Sequence, residues 1–198
     1  MGDVTSDPSA AAAAPAARSP WLAPVLRAVP AIAAGLIITF TADHSPAVGL
    51  TMLAVFGLGS SLVLLVTALR MRAAEPVRGL HRGLSLVAAL VGALAVAVLV
   101  SGAAGLALLL LLIGGYAVLA GALELVWGIR HRDRSGFARD AVVIGGGTLA
   151  LALVLAFVGD PVSAVGFFGA YAVMLGVYLA IAGVSLRRGA PAEEGAAS

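Results

Sequence analysis

The longest uncharged stretch of the chain constrains its fold more than any other feature. No residue between Gly83 and Leu123 carries a charge, and the stretch is about twice the roughly 20 residues that a helix needs to cross a membrane. A single straight helix of this length would overshoot the roughly 30 Å of hydrocarbon in a bilayer. The chain is therefore expected to turn back at 101–105, which reads Ser-Gly-Ala-Ala-Gly.

Two further apolar stretches are interrupted in the same way. One breaks at 43–46, which reads Asp-His-Ser-Pro, and the other at 159–161, which reads Gly-Asp-Pro. Proline cannot continue the hydrogen-bonded ladder of a helix. The sequence thus predicts an all-α integral membrane bundle of six transmembrane helices, built from three repeated helical hairpins. The predicted limits are 21–188 for the membrane domain, 25–69, 83–129 and 141–186 for the hairpins, and 1–20 and 189–198 for flexible cytoplasmic tails.

Composition supports a membrane protein and excludes several chemistries. Hydrophobic residues make up 61% of the chain, charged residues 11%, and the mean hydropathy is +1.08, whereas about a quarter of the residues in soluble domains are charged. The sequence contains no Cys, Lys, Asn or Gln. Disulfides, zinc–thiolate sites and lysine Schiff bases are therefore excluded. No cofactor is predicted, and the lipid bilayer is the predicted partner.

The basic residues mark the ends of the predicted spans. All 12 are arginines, and they fall in four clusters separated by apolar segments, which is the pattern of membrane boundaries. Nucleic-acid binding would need a continuous basic patch instead. Because arginines follow every even-numbered helix, both termini are predicted to lie on the cytoplasmic side. The predicted topology residues are Arg70, Arg72, Arg130, Arg132, Arg187 and Arg188.

An internal repeat links the three hairpins. A shift of 55 residues places the segment 116–121 on 171–176, so that Tyr116 coincides with Tyr171. A shift of 62 places Gly59 on Gly121 and makes the first hairpin a weaker copy. Hairpins that all enter in the same orientation predict a symmetry axis along the membrane normal.

Glycines recur every seven residues on helices 4 and 6, close to two turns of helix. Such a smooth face lets two helices approach closely in lipid, so helix packing is predicted. A lipid-binding groove and a homo-oligomer interface remain open as alternatives. The glycines concerned are Gly114, Gly121, Gly128, Gly169, Gly176 and Gly183.

Glu124 is the main candidate for a functional residue. It is the only carboxylate well inside a predicted apolar span, and an ionisable group at that depth is costly unless it is paired, protonated or hydrated. Two interpretations stay open: a functional acid, or an acid that snorkels or pairs with a cytoplasmic arginine. The repeat places Leu62 and Leu179 at the equivalent positions, so only one hairpin carries the acid.

The connections opposite the arginines carry Asp43, His44 and Asp160 as further candidates. A histidine on an outward-facing connection is where external acid would act on a side chain. The other histidines, His81 and His131, are predicted to lie on the other side of the membrane. No metal site is therefore predicted.

Several of these features together resemble the HdeD-like acid-resistance membrane protein family. They are the three glycine-rich hairpins, the segment with Tyr116, Gly121 and Glu124, and the Asp160-Pro161 turn. The resemblance covers about residues 21–188. It implies a six-span protein of the bacterial cytoplasmic membrane that is linked to survival of acid stress and has no established reaction.

The function expected from the sequence is that of a non-enzymatic membrane component in stress or acid resistance. The alternative is a small permease or channel in which Glu124 binds a proton or a cation. An enzyme that acts on lipids is less favoured, because no serine has a plausible base partner within the bilayer.

Overall fold

The computed structural model describes residues 21–133 and 136–189. The described chain forms six α-helices, and each is long and apolar enough to cross a membrane by length and composition. The predicted all-α bundle of six membrane spans is thus confirmed. The helices are α1 (Leu22–Phe40), α2 (Pro46–Arg70), α3 (Pro76–Val100), α4 (Leu106–His131), α5 (Gly136–Leu155) and α6 (Pro161–Gly189).

Local sequence signals explain where the helices start and stop. Pro46, Pro76 and Pro161 each open a helix, a position where the missing N–H of proline costs nothing. The connection 101–105 lies where the breaker-rich segment predicts it, and Gly102 there has a φ of 71°. That left-handed backbone conformation favours glycine.

All three odd-numbered helices begin earlier than the predicted hairpins, α3 and α5 most clearly. Helix α3 begins at Pro76 and α5 at Gly136, not near residues 83 and 141. The predicted limits follow the last charged residue before each apolar stretch, whereas the backbone hydrogen bonds of a helix continue beyond the apolar region into its polar turns. Helix α1 begins at Leu22 and continues through Pro30. The predicted tails, 1–20 and 189–198, lie outside the described residues except for Gly189, which is the last residue of α6.

The helices alternate in direction. A Cβ added to Gly49 near the start of α2 would approach Leu109 near the start of α4 and Val165 near the start of α6. The three even-numbered helices therefore start at one end of the bundle. We call the end where they finish, which holds Arg70, Arg130 and the other predicted topology residues, the arginine-rich end, and we call the other the opposite end.

The closest helix pairs are not the two members of each predicted hairpin. Helix α1 packs most extensively on α6, α2 on α3, and α4 on α5, whereas α5 and α6 touch only slightly. The even-numbered helices also contact one another, while within 21–133 and 136–189 the odd-numbered helices make no backbone approach to each other. Helices α2, α4 and α6 thus form the centre. The hairpin repeat itself stays a prediction.

Glycines line the close helix pairs, with one exception in the predicted set. Added Cβ atoms at Gly169, Gly176 and Gly183 would collide with α1, and those at Gly121 and Gly128 would collide with α5. For example, the Cβ at Gly121 would lie 3.0 Å from the carbonyl oxygen of Gly145. Gly114 has no neighbouring atom within 4 Å of such a Cβ, so it does not lie in a close contact.

The first hairpin departs from the register that a shift of 62 residues gives. Gly57, not Gly59, meets the backbone of α3, and Gly59 faces Pro30 of α1. Leu62, the expected counterpart of Glu124, is 64% exposed. If Gly57 is matched with Gly121, Ser60 becomes the counterpart of Glu124, and both side chains are buried.

Candidate functional site

A buried ion pair joins α1 to α4. The Nη2 of Arg27 donates to Oε1 of Glu124 over 2.7 Å, and the two side chains are 8% and 3% exposed. Arg27 lies five residues beyond the first residue of α1, and Glu124 lies seven residues before the last residue of α4. The pair therefore sits about 10 Å inside the arginine-rich end. The sequence left two interpretations of Glu124 open, a functional acid or an acid that snorkels or pairs with an arginine. The structure shows that Glu124 pairs with an arginine.

Each charge of this pair needs the other. Removing an ion from water costs several kcal/mol, and only a close partner of opposite charge offsets that cost. Arg27 falls inside the predicted first hairpin, 25–69, and the structure likewise places it inside α1. There the charge of Glu124 compensates its own.

Hydroxyl groups extend the polar site towards the middle of the bundle. Tyr116 of α4 and Tyr171 of α6 lie close enough to interact with Arg27, Glu124 and each other. The Tyr171 hydroxyl is 2.8 Å from Oγ1 of Thr148 in α5. We define the ion-pair cluster as Arg27, Glu124, Tyr116, Tyr171 and Thr148.

The direction of one hydrogen bond in the ion-pair cluster follows from counting protons. Oγ1 of Thr148 donates to the carbonyl oxygen of Ile144 over 2.8 Å, and a threonine hydroxyl has only one proton to donate. The Tyr171 hydroxyl must therefore donate to Thr148. The cluster connects α1, α4, α5 and α6, so one polar site holds four of the six helices.

An aromatic cluster lies next to it at the bundle centre. Phe56 of α2 packs edge-to-face on Tyr116, with ring centroids 5.3 Å apart, and on Phe168 of α6 at 5.7 Å. Each central helix thus contributes one ring. Beyond these rings, towards the opposite end, the largest fully buried side chains are aliphatic: Leu50, Leu53, Leu109, Ile113 and Val165.

The structure does not bring Asp43, His44 or Asp160 to the ion-pair cluster. Asp43 accepts hydrogen bonds from the backbone and the hydroxyl of Ser45 at 2.8 and 3.1 Å. The His44 ring lies 3.3 Å from the carbonyl oxygen of Ala42. These residues lie before α2, at the opposite end, where Asp43 organises the turn into that helix.

Asp160 has a similar position before α6. Its Oδ1 accepts from the backbone N–H of Ser163 over 2.8 Å. Hydrogen bonds from the backbone and then the side chain of Ser163 hold the pKa of Asp160 below its usual value. The carboxylate caps the first turn of α6, where the helix dipole also favours a negative charge.

The predicted topology arginines are exposed and lie at or just beyond the last turns of the even-numbered helices: Arg70, Arg72, Arg130, Arg132, Arg187 and Arg188. A positive charge there complements the negative end of the helix dipole. Arg132 also makes a loose pair with Asp133 at 3.8 Å, with the side chains 73% and 92% exposed. The arginine that pairs with Glu124 is Arg27 of α1 instead.

Sequence reasoning missed the partners of Glu124. The sequence pattern gives no partner for Arg27, and Tyr116 and Tyr171 stand out only through the match between repeats and, for Tyr116, through the family resemblance. That match was the available signal, because two tyrosines at equivalent depth in an apolar span need hydrogen-bond partners. No group of three metal-ligating side chains occurs within residues 21–133 and 136–189.

Comparison of the chain with protein-family models, with curated proteins and with solved structures finds no match.

Proposed function

We propose that this protein is a non-enzymatic component of the bacterial cytoplasmic membrane that supports survival of acid or related stress, as its resemblance to the HdeD-like family implies. The observation that carries the proposal is the closed pairing of Glu124 with Arg27, each less than a tenth exposed. A carboxylate held this way is a structural tie between α1 and α4. Its Oε1 is engaged by Arg27, and the side chain is buried, so it is not exposed to a passing ion.

The alternative is a permease or channel in which Glu124 binds a proton or a cation. One observation favours it: the hydroxyls of Tyr116, Tyr171 and Thr148 continue from Glu124 towards the middle of the bundle. Chains of polar groups inside a membrane serve as proton relays in pumps and transporters. The two functions make opposite predictions for one double variant.

The deciding experiment replaces both charges by apolar side chains, as Arg27→Met with Glu124→Met. A structural ion pair tolerates this exchange, because neither charge is left buried alone. We expect cells that produce the double variant to survive acid challenge as well as cells with the unaltered protein. Survival that falls to the level of cells lacking the protein, at equal membrane abundance, would contradict the structural role.

A flux measurement tests the alternative directly. The purified protein is reconstituted in liposomes with an entrapped pH dye, and a proton gradient is imposed. We expect no flux above protein-free liposomes. Flux that is lost in Glu124→Gln but kept in Asp133→Asn, which removes an exposed carboxylate instead, would establish the permease.

The arginine positions support an orientation with both termini in the cytoplasm. Because the chain has no cysteine, single cysteines can report it without background. In intact cells, a membrane-impermeant maleimide should label Ala42→Cys, in the connection between α1 and α2. It should label Ala73→Cys, between α2 and α3, only after permeabilisation. The reverse pattern would overturn the orientation.

His44 offers a test of acid sensing on the same outer connection. We expect His44→Gln to reduce survival at low pH without changing the amount of protein in the membrane. Unchanged survival would remove His44 from the proposal and leave the role of the ion-pair cluster untouched.

A further inference from the structure

A groove opens between α3 and α4 at the arginine-rich end. It has a volume of about 500 Å³ and is lined on one side by Gly79 and Leu80 of α3. Leu119 and Leu123 of α4 form much of its other wall, and both are at least 40% exposed. The groove therefore faces the space that lipid occupies around the bundle.

The end of the groove has a different chemistry from its walls. Trp127, Arg130 and His131 close it at the last turns of α4. Arg130 is exposed, and no carboxylate lies among the lining residues. The aliphatic walls of the groove match the acyl chain of a lipid. The cation and aromatic rings at its end, which lie at the depth of a helix end, match an anionic head group. Basic pockets between membrane helices on the cytoplasmic side are where acidic head groups bind.

The helix packing explains why the groove exists. Helices α3 and α4 pack less closely than α2 with α3 or α4 with α5. Gly79 adds to the space, because a Cβ placed there would meet no atom within 4 Å. A larger side chain at this position would occupy the groove without displacing protein atoms.

We propose that this groove binds an anionic phospholipid, with one acyl chain between α3 and α4 and its phosphate at Arg130. Charge complementarity selects the lipid class, since a zwitterionic lipid presents a compensating positive charge at the same level. The site is separate from the ion-pair cluster and holds whether or not the proposed function is correct.

The two tryptophans of the chain allow a direct test. In Trp21→Phe, Trp127 is the only indole, and it lines the groove. The protein is reconstituted in phosphatidylcholine vesicles containing a small fraction of brominated phosphatidylglycerol or, separately, brominated phosphatidylcholine. We expect Trp127 fluorescence to be quenched at about fivefold lower mole fraction of the anionic lipid, the factor that one basic residue near an acidic lipid contributes.

Two variants locate the binding site, and each has a matched control. Arg130→Gln should remove the preference for the anionic lipid, whereas Arg188→Gln, an exposed arginine at the end of α6, should keep it. Gly79→Leu should fill the groove and reduce quenching by both lipids. Gly146→Leu, on α5 and equally free of neighbours, should not.

Equal quenching of Trp127 by the two lipids would overturn the lipid-binding proposal. A preference for the anionic lipid that survives Arg130→Gln would overturn it as well. If Trp127→Phe, in which Trp21 is the only indole, shows the same preference as Trp21→Phe, the effect is general attraction of acidic lipid to the arginine-rich end. The groove is then not a site.

Discussion

The two ends of the bundle core differ in what holds the helices together. Near the arginine-rich end, the ion-pair cluster joins four helices through a 2.7 Å ion pair and a 2.8 Å hydroxyl contact. Towards the opposite end, the core is made of the Phe56 and Phe168 rings and aliphatic side chains. Directional side-chain bonds add to the close glycine contacts in the first half, whereas apolar packing holds the second.

This difference has a physical reason in lipid. Burying apolar surface between helices gains little when the alternative solvent is also apolar, so packing and hydrogen bonds carry the association. Close packing is achieved in the glycine-lined pairs, where backbones approach directly. Helices α1 and α4 are not such a pair, and the long side chains of Arg27 and Glu124 span the distance between them.

The largest expected effect comes from breaking the ion pair on one side. Glu124→Gln leaves the Arg27 charge buried without its partner, and we expect the free energy of unfolding to fall by about 3–5 kcal/mol. Unfolding in detergent measures the change. The matched control Asp133→Asn should stay within about 0.5 kcal/mol, because Asp133 is exposed.

Removing the second charge of the ion pair as well tests whether the loss comes from the unpaired Arg27. Arg27→Met with Glu124→Met should recover most of the lost stability, since neither charge is then left alone. A double variant as unstable as Glu124→Gln would show that the ion pair itself, and not the unpaired charge, accounts for the loss.

Next in size is the apolar half of the core. Phe168→Ala removes a fully buried ring that contacts Phe56, and we expect a loss of about 3 kcal/mol through the cavity that remains. Phe167→Ala, the neighbouring ring that is 45% exposed, serves as the control and should cost much less. Similar losses for the two variants would show that this half is not closely packed.

A smaller effect is expected at the far end of the ion-pair cluster. Thr148→Val keeps the side-chain shape but removes the oxygen that accepts the Tyr171 hydroxyl proton. Hydrogen bonds between membrane helices contribute about 0.6 kcal/mol on average, and we expect a loss of that order. If Thr148→Val and Tyr171→Phe each cost this much but do not add in the double variant, the contact is confirmed by a thermodynamic cycle.

The smallest effect is expected outside both halves, at Asp160. Its pKa is lower in the folded protein than in an unfolded chain, because Ser163 donates hydrogen bonds to the carboxylate. The stabilisation is therefore complete above the ordinary carboxyl pKa and is lost as the pH falls through the lowered value. Asp160→Ala should lower stability slightly at neutral pH and have no effect in strong acid. An equal effect at both pH values would exclude the capping role.

Prediction from the sequence works best for features that depend on one segment of the chain, such as where a helix ends and the next one begins. The connections at 41–45, 101–105 and 156–160 follow from proline and glycine acting on their own backbone. Helices α3 and α5 begin at Pro76 and Gly136, earlier than the sequence predicts, because charge marks where the hydrocarbon ends and not where a helix begins. Glu124 stands out in the sequence by its depth in an apolar span, and the structure buries it, but its partner Arg27 lies 97 positions earlier in the chain.

The sequence by itself determined the class of the protein, the number of spans and the end at which the arginines collect. Each of these depends on hydropathy and charge along one segment, and the solvent acts on every segment separately. The tertiary structure alone decided that α6 closes on α1, that Gly57 and not Gly59 meets α3, and that Arg27 reaches Glu124. Those outcomes depend on which helix faces come together in three dimensions, and a periodic apolar sequence presents several faces of nearly equal hydropathy.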